Sequence, residues 1–200
     1  MAFKGLFIGI DRYASAEINW LSCARRDATA LHALFTDTLG GDTALLTDGQ
    51  ATAAAIGECF DRLAASDPDD VVVIAFSGHG TETHELVTHD TDPYDLAAST
   101  ISLTTLGERC ARIPPRRLLI VLDCCFSGGM GAKALQVEGF PRDIQSVEGK
   151  LNQISGQGRV ILTASGPTER AWESPRLGHG FLTLHLLEAS VTPITGGSSI

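Results

Sequence analysis

A thiol and an imidazole are the residues best suited to chemistry in this chain. Cys125 stands in Asp123-Cys124-Cys125-Phe126-Ser127-Gly128-Gly129, directly after the apolar run Leu118–Leu122. His79 stands in Ser77-Gly78-His79-Gly80, directly after Val71–Phe76. A histidine base can take the proton of a cysteine, and the thiolate can then attack a carbonyl carbon to give a covalent intermediate that water resolves. The glycines beside both residues let the backbone turn sharply and let a substrate come close. His79 lies 46 residues upstream of Cys125, so the fold has to bring the two together.

Strand ends supply that juxtaposition. Both apolar runs are continuous and rich in branched side chains, the pattern of strands covered on both faces in a parallel sheet. Ligands of open α/β sheets sit at the carboxyl ends of such strands. Three more strands are expected: Phe3–Ile10, which runs into Asp11-Arg12-Tyr13, then Thr43–Leu46 and Arg159–Ala164. Helical spacing covers Cys23–Leu39, closed by Gly40-Gly41, then 52–65 behind a Thr52 cap, 102–110 with Ser102 as N-cap, and Phe181–Ala189, beginning near Gly178. Residues 81–100 read as loop with one short strand, Glu85–Thr88.

Strands alternating with helices define an α/β class, with a mostly parallel central sheet between two helical layers. Residues 1–190 are expected to form one domain. Within it, 129–158 is glycine-rich with little periodicity and reads as a long mobile loop carrying one helix, Ile144–Ile154. Residues 191–200 read as a tail. A further strand would be natural after the last helix, so the chain reads as a piece of a longer protein.

Composition excludes several classes. The net charge is −9, with no basic cluster or aromatic ladder, which argues against a nucleic-acid binder. No apolar run reaches the roughly 20 residues needed to cross a bilayer, and the first residues lack the layout of a signal peptide. Five scattered cysteines, an odd number, suit a reducing cytoplasmic location better than a disulfide framework. Cys124 reads as a small buried residue and Cys23, Cys59 and Cys110, in helical patterns, as core or surface-neutral, while His84 and His89 read as solvated. The five-residue spacing of His79, His84 and His89 does not set three rings on one helix face, so no metal ligand is assigned.

The motifs, taken in order, resemble those of caspase-like cysteine peptidases, closest to bacterial caspase homologues and metacaspases. The resemblance rests on L-F-I-G-I-D-R-Y in the first strand, C-A-R-R-D-A-T-A-L at 23–31, F-S-G-H-G at 76–80, D-C-C-F-S-G at 123–128, and A-S-G-P-T-E-R-A-W-E with G-H-G-F-L-T towards the end. The 46-residue spacing is near the roughly 50 between base and nucleophile in caspases. The resemblance implies a three-layer caspase-like fold, with Cys125 as nucleophile and His79 as general base and acid. The N–H groups of Gly80 and Cys125 would form the oxyanion hole. Asp123 and Asp27 would line S1, where two carboxylates favour Arg or Lys at P1.

The same resemblance implies an endopeptidase acting on proteins or peptides. It would be latent until self-cleavage in loop 129–158, at Lys133, Arg142 or Lys150, or until a partner or fused domain switches it on, in stress, cell death or defence. Phe126 replaces a histidine common in metacaspases, and the step from Cys23 to Asp27 is one residue longer than in them. The acidic loop tied to calcium activation is only partly echoed by Asp90, Asp92 and Asp95, so calcium stays open.

Three alternatives stand beside this reading. Asp11 and Arg12 end the first strand and could face the cleft; Arg12 in S1 would turn preference towards an acidic P1. By the same resemblance Trp172 and Glu173 could line S2 or S4, and Trp172 could equally be a core aromatic. A caspase-like scaffold without catalysis needs no intact dyad. A flavodoxin-like small-ligand binder needs a phosphate cradle after the first strand, which Asp11-Arg12-Tyr13 is not.

Overall fold

The computed structural model describes residues 1–114, 116–124, 134–135, 155, 158–164 and 171–191, with backbone alone at 134–135 and 191. Cys125, Phe126, the expected helix 144–154, the three basic residues of the loop and the tail beyond 191 lie outside the described residues.

Five strands form the central sheet, all parallel: β1 (Phe3–Gly9), β2 (Asp42–Thr47), β3 (Val71–Ser77), β7 (Arg117–Asp123) and β9 (Arg159–Thr163), in the order β2-β1-β3-β7-β9. Their alternate side chains feed two cores. Leu6, Ile8, Val72, Ile74, Phe76, Leu118, Ile120 and Leu122 face α2 (Ala53–Ala64) and α4 (Leu103–Ala111), meeting Ile56, Phe60, Leu63 and Leu106. Phe3, Phe7, Val73, Ala75 and Val121 face α1 (Ala24–Leu39) and α5 (Phe181–Val191), meeting Ala28, Leu31, Leu182 and Leu186. The expected three-layer α-β-α architecture is the one observed. Thr52 and Ser102 cap α2 and α4 as expected, each accepting the N–H of the third residue onward. Gly40 (φ 65) and Gly41 (φ 98) end α1 in the left-handed region that favours glycine.

The stretch 80–102 carries the expected short strand, at Glu85–Leu86, and is otherwise more ordered than the loop expected there. It holds strands β4 (Gly80–Thr81), β5 (Glu85–Leu86) and β6 (Ile101–Ser102) and the short helix α3 (Leu96–Ser99), whose Asp95 cap accepts the Ala98 N–H. With β8 (Ala134–Leu135) these strands make a second sheet in the order β6-β5-β4-β8. Two-residue strands have no readable period, which is why the sequence signal was a loop. A hairpin, β10 (Glu173–Ser174) and β11 (His179–Gly180), was likewise too short to register.

The chain runs from β1 out to β2 and returns to β3 on the opposite side of β1, so strand order reverses between β1 and β3. Crevices for ligands open at the carboxyl ends of strands at such a reversal. Helix α1 starts at this edge, and Gly9 lets it lie close. A Cβ on Gly9 would run into the Ala24 carbonyl oxygen and stand 2.7 Å from the Ala28 Cβ and 2.8 Å from the Arg25 Cα. Two of those atoms are helix backbone and cannot rotate away. Gly9→Ala is therefore expected to destabilise the fold by about 1–3 kcal/mol in urea titration; an unchanged midpoint would show the β1–α1 spacing to be soft.

Candidate active site

Three residues past Phe76, His79 leaves the end of β3. Gly78 makes the turn possible, because a Cβ there would sit 2.9 Å from the Phe76 ring and 3.2 Å from the Tyr13 hydroxyl. The His79 N–H donates to that hydroxyl at 2.9 Å, and the hydroxyl donates on to the Ile10 carbonyl at 3.3 Å. The rings of Tyr13 and His79 lie 5.2 Å apart, tilted by 36°. Burial pushes the Tyr13 phenol far above its usual range, so it stays protonated and keeps its donor.

The imidazole is buried, at 3% exposure, and its Nε2 is 2.8 Å from the Asn19 carbonyl oxygen. A carbonyl can only accept, so Nε2 carries the hydrogen and, in the neutral ring, the basic lone pair is on Nδ1. No side-chain pattern could have announced this partner, since a main-chain carbonyl has no residue signature.

The two expected S1 acids lie together and deep. Asp27 is fully buried in the first turn of α1. Its Oδ2 accepts the Ser77 hydroxyl at 3.1 Å, its Oδ1 is 2.8 Å from His179 Nδ1, and both oxygens accept the Gly180 N–H at 3.1 and 3.2 Å. Asp123, at the end of β7, is 1% exposed; its Oδ2 accepts the Thr183 hydroxyl at 2.9 Å and the Thr183 N–H at 3.4 Å. Gly180 stands between them, and a Cβ there would meet the Asp123 carboxylate at 3.0 Å or less. The fold thus brings Asp27 and Asp123 together around one glycine and engages both carboxylates with its own donors. His179 and Thr183 were visible in G-H-G-F-L-T, yet nothing in that string said which acids they serve.

The remaining candidates fall into place around this pair. Asp11 is 8% exposed and its Oδ1 accepts the Ala24 N–H at 2.8 Å, so its carboxylate caps α1. Arg12 is exposed with its guanidinium 3.7 Å above the Trp20 ring, and its N–H donates to Asp48. Trp172 is 47% exposed, and its carbonyl accepts the Phe181 N–H. Gly80 opens β4, buried, paired with Leu86 and Ala134.

His84 corrects its expectation. It is buried at 5% exposure rather than solvated, because its backbone turns at φ 70 between β4 and β5. His89 is half-buried, its Nδ1 2.7 Å from the Arg12 carbonyl. Asp92 and Asp95 accept local N–H groups, from Tyr94 and Ala98, and Asp90 accepts that of Ala53 at the start of α2. Among the described residues no three His, Cys, Asp or Glu side chains gather as a metal site, and no helix is long and apolar enough to cross a membrane. Cys124 is buried as expected, and Cys23, Cys59 and Cys110 are core rather than surface residues; burial pushes the Cys110 thiol up to about 12 and raises that of Cys59.

A parallel sheet whose carboxyl edge carries His79 beside the strand leading to Cys125 is the arrangement of a cysteine peptidase-like fold. Residues 3–192 match the caspase domain family, and the chain belongs to it. No curated protein matches it significantly. Among solved structures, the crystal structure of protein GSU0716 from Geobacter sulfurreducens is similar in fold, with a TM-score of 0.68 at 15% identity over 94% of this chain and 82% of that one.

Burial holds the Asp11 carboxyl above its ordinary value, against the Ala24 and Arg25 N–H groups that lower it; Asp48 and Glu173 add to the rise. A group whose folded pKa is raised contributes stability that is present below its unfolded value, 3.8 here, and is lost as pH rises through the folded value. Asp11→Asn keeps the Oδ1 acceptor and removes the buried charge. Its stability relative to the wild type is expected to grow between about pH 4 and pH 7, read from urea midpoints. A gap that shrinks over that range would mean the charge is stabilising.

Proposed function

We propose that this chain is a cysteine endopeptidase that cleaves after Arg or Lys. The observation that carries the reading is the Asn19 carbonyl on His79 Nε2. It leaves Nδ1 as the base at the end of β3, in a chain of the caspase domain family. The Ser77–Asp123 pairing of β3 with β7 supports the partnership, since His79 and Cys125 each follow two residues beyond that pair.

In this mechanism His79 Nδ1 takes the Cys125 proton and Sγ attacks the scissile carbonyl carbon. The N–H groups of Gly80 and Cys125 stabilise the oxyanion. As the intermediate collapses, the imidazolium gives its proton to the leaving amine, and water, deprotonated by the same ring, hydrolyses the thioester. Asn19 orients the ring throughout and favours the cationic form by accepting from Nε2–H. The preference for a basic P1 side chain rests on Asp123, supported by Asp27, two acids clustered behind the same strand edge. The enzyme works in a reducing compartment on protein substrates and stays latent until loop 129–158 is cut or an activating partner engages it.

Wild type and Cys125→Ala are to be compared on fluorogenic peptides ending in Arg, Lys or Asp, with and without calcium. The expected result is cleavage after Arg and Lys that falls by at least about three orders of magnitude in the variant. Cleavage after Asp would keep the peptidase and remove the acidic S1. Silence together with no labelling by an arginyl chloromethyl ketone would leave a docking scaffold. Self-cleavage at Lys133, Arg142 or Lys150 is expected to disappear in purified Cys125→Ala, followed by mass spectrometry; equal cutting of the variant would exclude an intramolecular or self-directed origin.

A further inference from the structure

Helix α1 makes no side-chain cap of its own: Cys23 occupies the N-cap position and its side chain accepts nothing from the first turn. The free N–H groups of a helix start need acceptors, and the positive end of the helix dipole favours anions. Two carboxylates from elsewhere in the chain fill that need. Asp11, at the end of β1, takes the Ala24 N–H at 2.8 Å. Glu173, the first residue of β10, takes the Ser22 N–H at 3.0 and 3.3 Å and the Cys23 N–H at 3.0 Å. Glu173 is half-buried and turned inwards, while its neighbour Trp172 is the exposed residue of the pair.

The segment that Glu173 holds is the segment that orients the imidazole. Asn19, whose carbonyl fixes His79 Nε2, lies three residues before Ser22. Between them the Leu21 N–H donates to the Asp11 carbonyl at 3.0 Å, and the Trp20 ring carries the Arg12 guanidinium at 3.7 Å. Upstream, Ile18 is buried in the core. The stretch 19–23 is thus fixed at Ile18 on one side and at Glu173 on the other, with the base hanging from a carbonyl in between.

We infer that Glu173 is a positioning residue for His79, acting through the backbone of residues 19–23; the inference rests on the reading of His79 as the base. It differs from a subsite role, in which Glu173 would touch substrate, and from a mere helix cap, in which its loss would lower stability alone. Catalytic geometry is sensitive to such a support, because misplacement by about 1 Å can cost on the order of 100-fold in rate. Through the same hairpin, His179 and Gly180 reach Asp27. The tie at Glu173 therefore joins the hairpin on the S1 acids to the segment on the base.

The test compares wild type, Glu173→Gln and Glu173→Ala on an arginyl or lysyl peptide, with thermal melting alongside. Glu173→Ala is expected to lose at least about 10-fold in kcat with KM within about 2-fold, at a temperature where all three are folded. Glu173→Gln, which keeps one amide oxygen as acceptor, is expected to fall between. A rise in KM with kcat intact would overturn the inference in favour of a substrate contact. A lowered Tm with kcat and KM unchanged would overturn it in favour of a cap.

A second arm is independent of turnover. The ring ¹⁵N resonances of His79, assigned with His79→Gln, are expected to show the Nε2–H tautomer in the wild type and tautomer-averaged values in Glu173→Ala. Identical spectra would overturn the inference. If the wild type neither cleaves a peptide nor takes the arginyl chloromethyl ketone, the peptidase reading fails while the spectra still decide whether Glu173 positions the ring.

Discussion

A carboxylate with no access to water is the constraint on which this structure turns. Asp27 is fully buried and can remain so only with several donors arranged around it. Ser77, His179 and Gly180 are those donors, drawn from the end of β3 and the start of the last helix. Removing any one partner leaves a buried acceptor short of a hydrogen bond, a cost of about 1–3 kcal/mol or more for a charged group. So the carboxylate dictates where β11 lies, and β11 dictates where α5 begins. It also fixes the exit of β3, two residues before His79.

Around that constraint the carboxyl edge of the sheet is divided by task. The β3 exit, with Tyr13 below the ring and Asn19 on Nε2, holds an imidazole in one tautomer. The β7 exit carries Asp123 against Gly180 and Thr183. The β1 exit carries Asp11, whose Oδ1 accepts the first N–H of a helix. Three strands that look alike in sequence thus end in three different jobs. Main-chain groups do much of the arranging: a carbonyl orients the base, and N–H groups satisfy the acids.

The long apolar strands, the helices of nine or more residues and the Thr52 and Ser102 caps were legible because burial on both faces and helical spacing leave strong patterns. His79 at a strand end was legible for the same reason. What escaped was everything carried by two-residue strands or by the backbone. Asn19 acts through its carbonyl, so any residue type could occupy that position. Glu173 reads, with Trp172, as a candidate lining of S2 or S4, and only the fold sets its carboxylate on Ser22 and Cys23. Asp11 looked like a cleft residue because it ends a strand, and only the packing of α1 reveals it as a cap. His84 looked solvated because its surroundings lacked period, whereas β4, β5 and β6 wrap it.

The capping of α1 also has a consequence in time. The residues leading into it, Cys23 and Ser22, depend on Glu173, 150 and 151 positions further along the chain, and the Asp27 carboxylate in its first turn depends on Gly180, 153 positions away. Contacts so distant in sequence carry a large loop-closure cost and belong to slow folding topologies. On the ribosome the N-terminal strand and helix would be made long before their acceptors exist. Until residue 180 has emerged, Asp27 has neither its histidine nor its glycine, and Asn19 has no distant support. The imidazole's setting is thus completed only once β10 and β11 have been made.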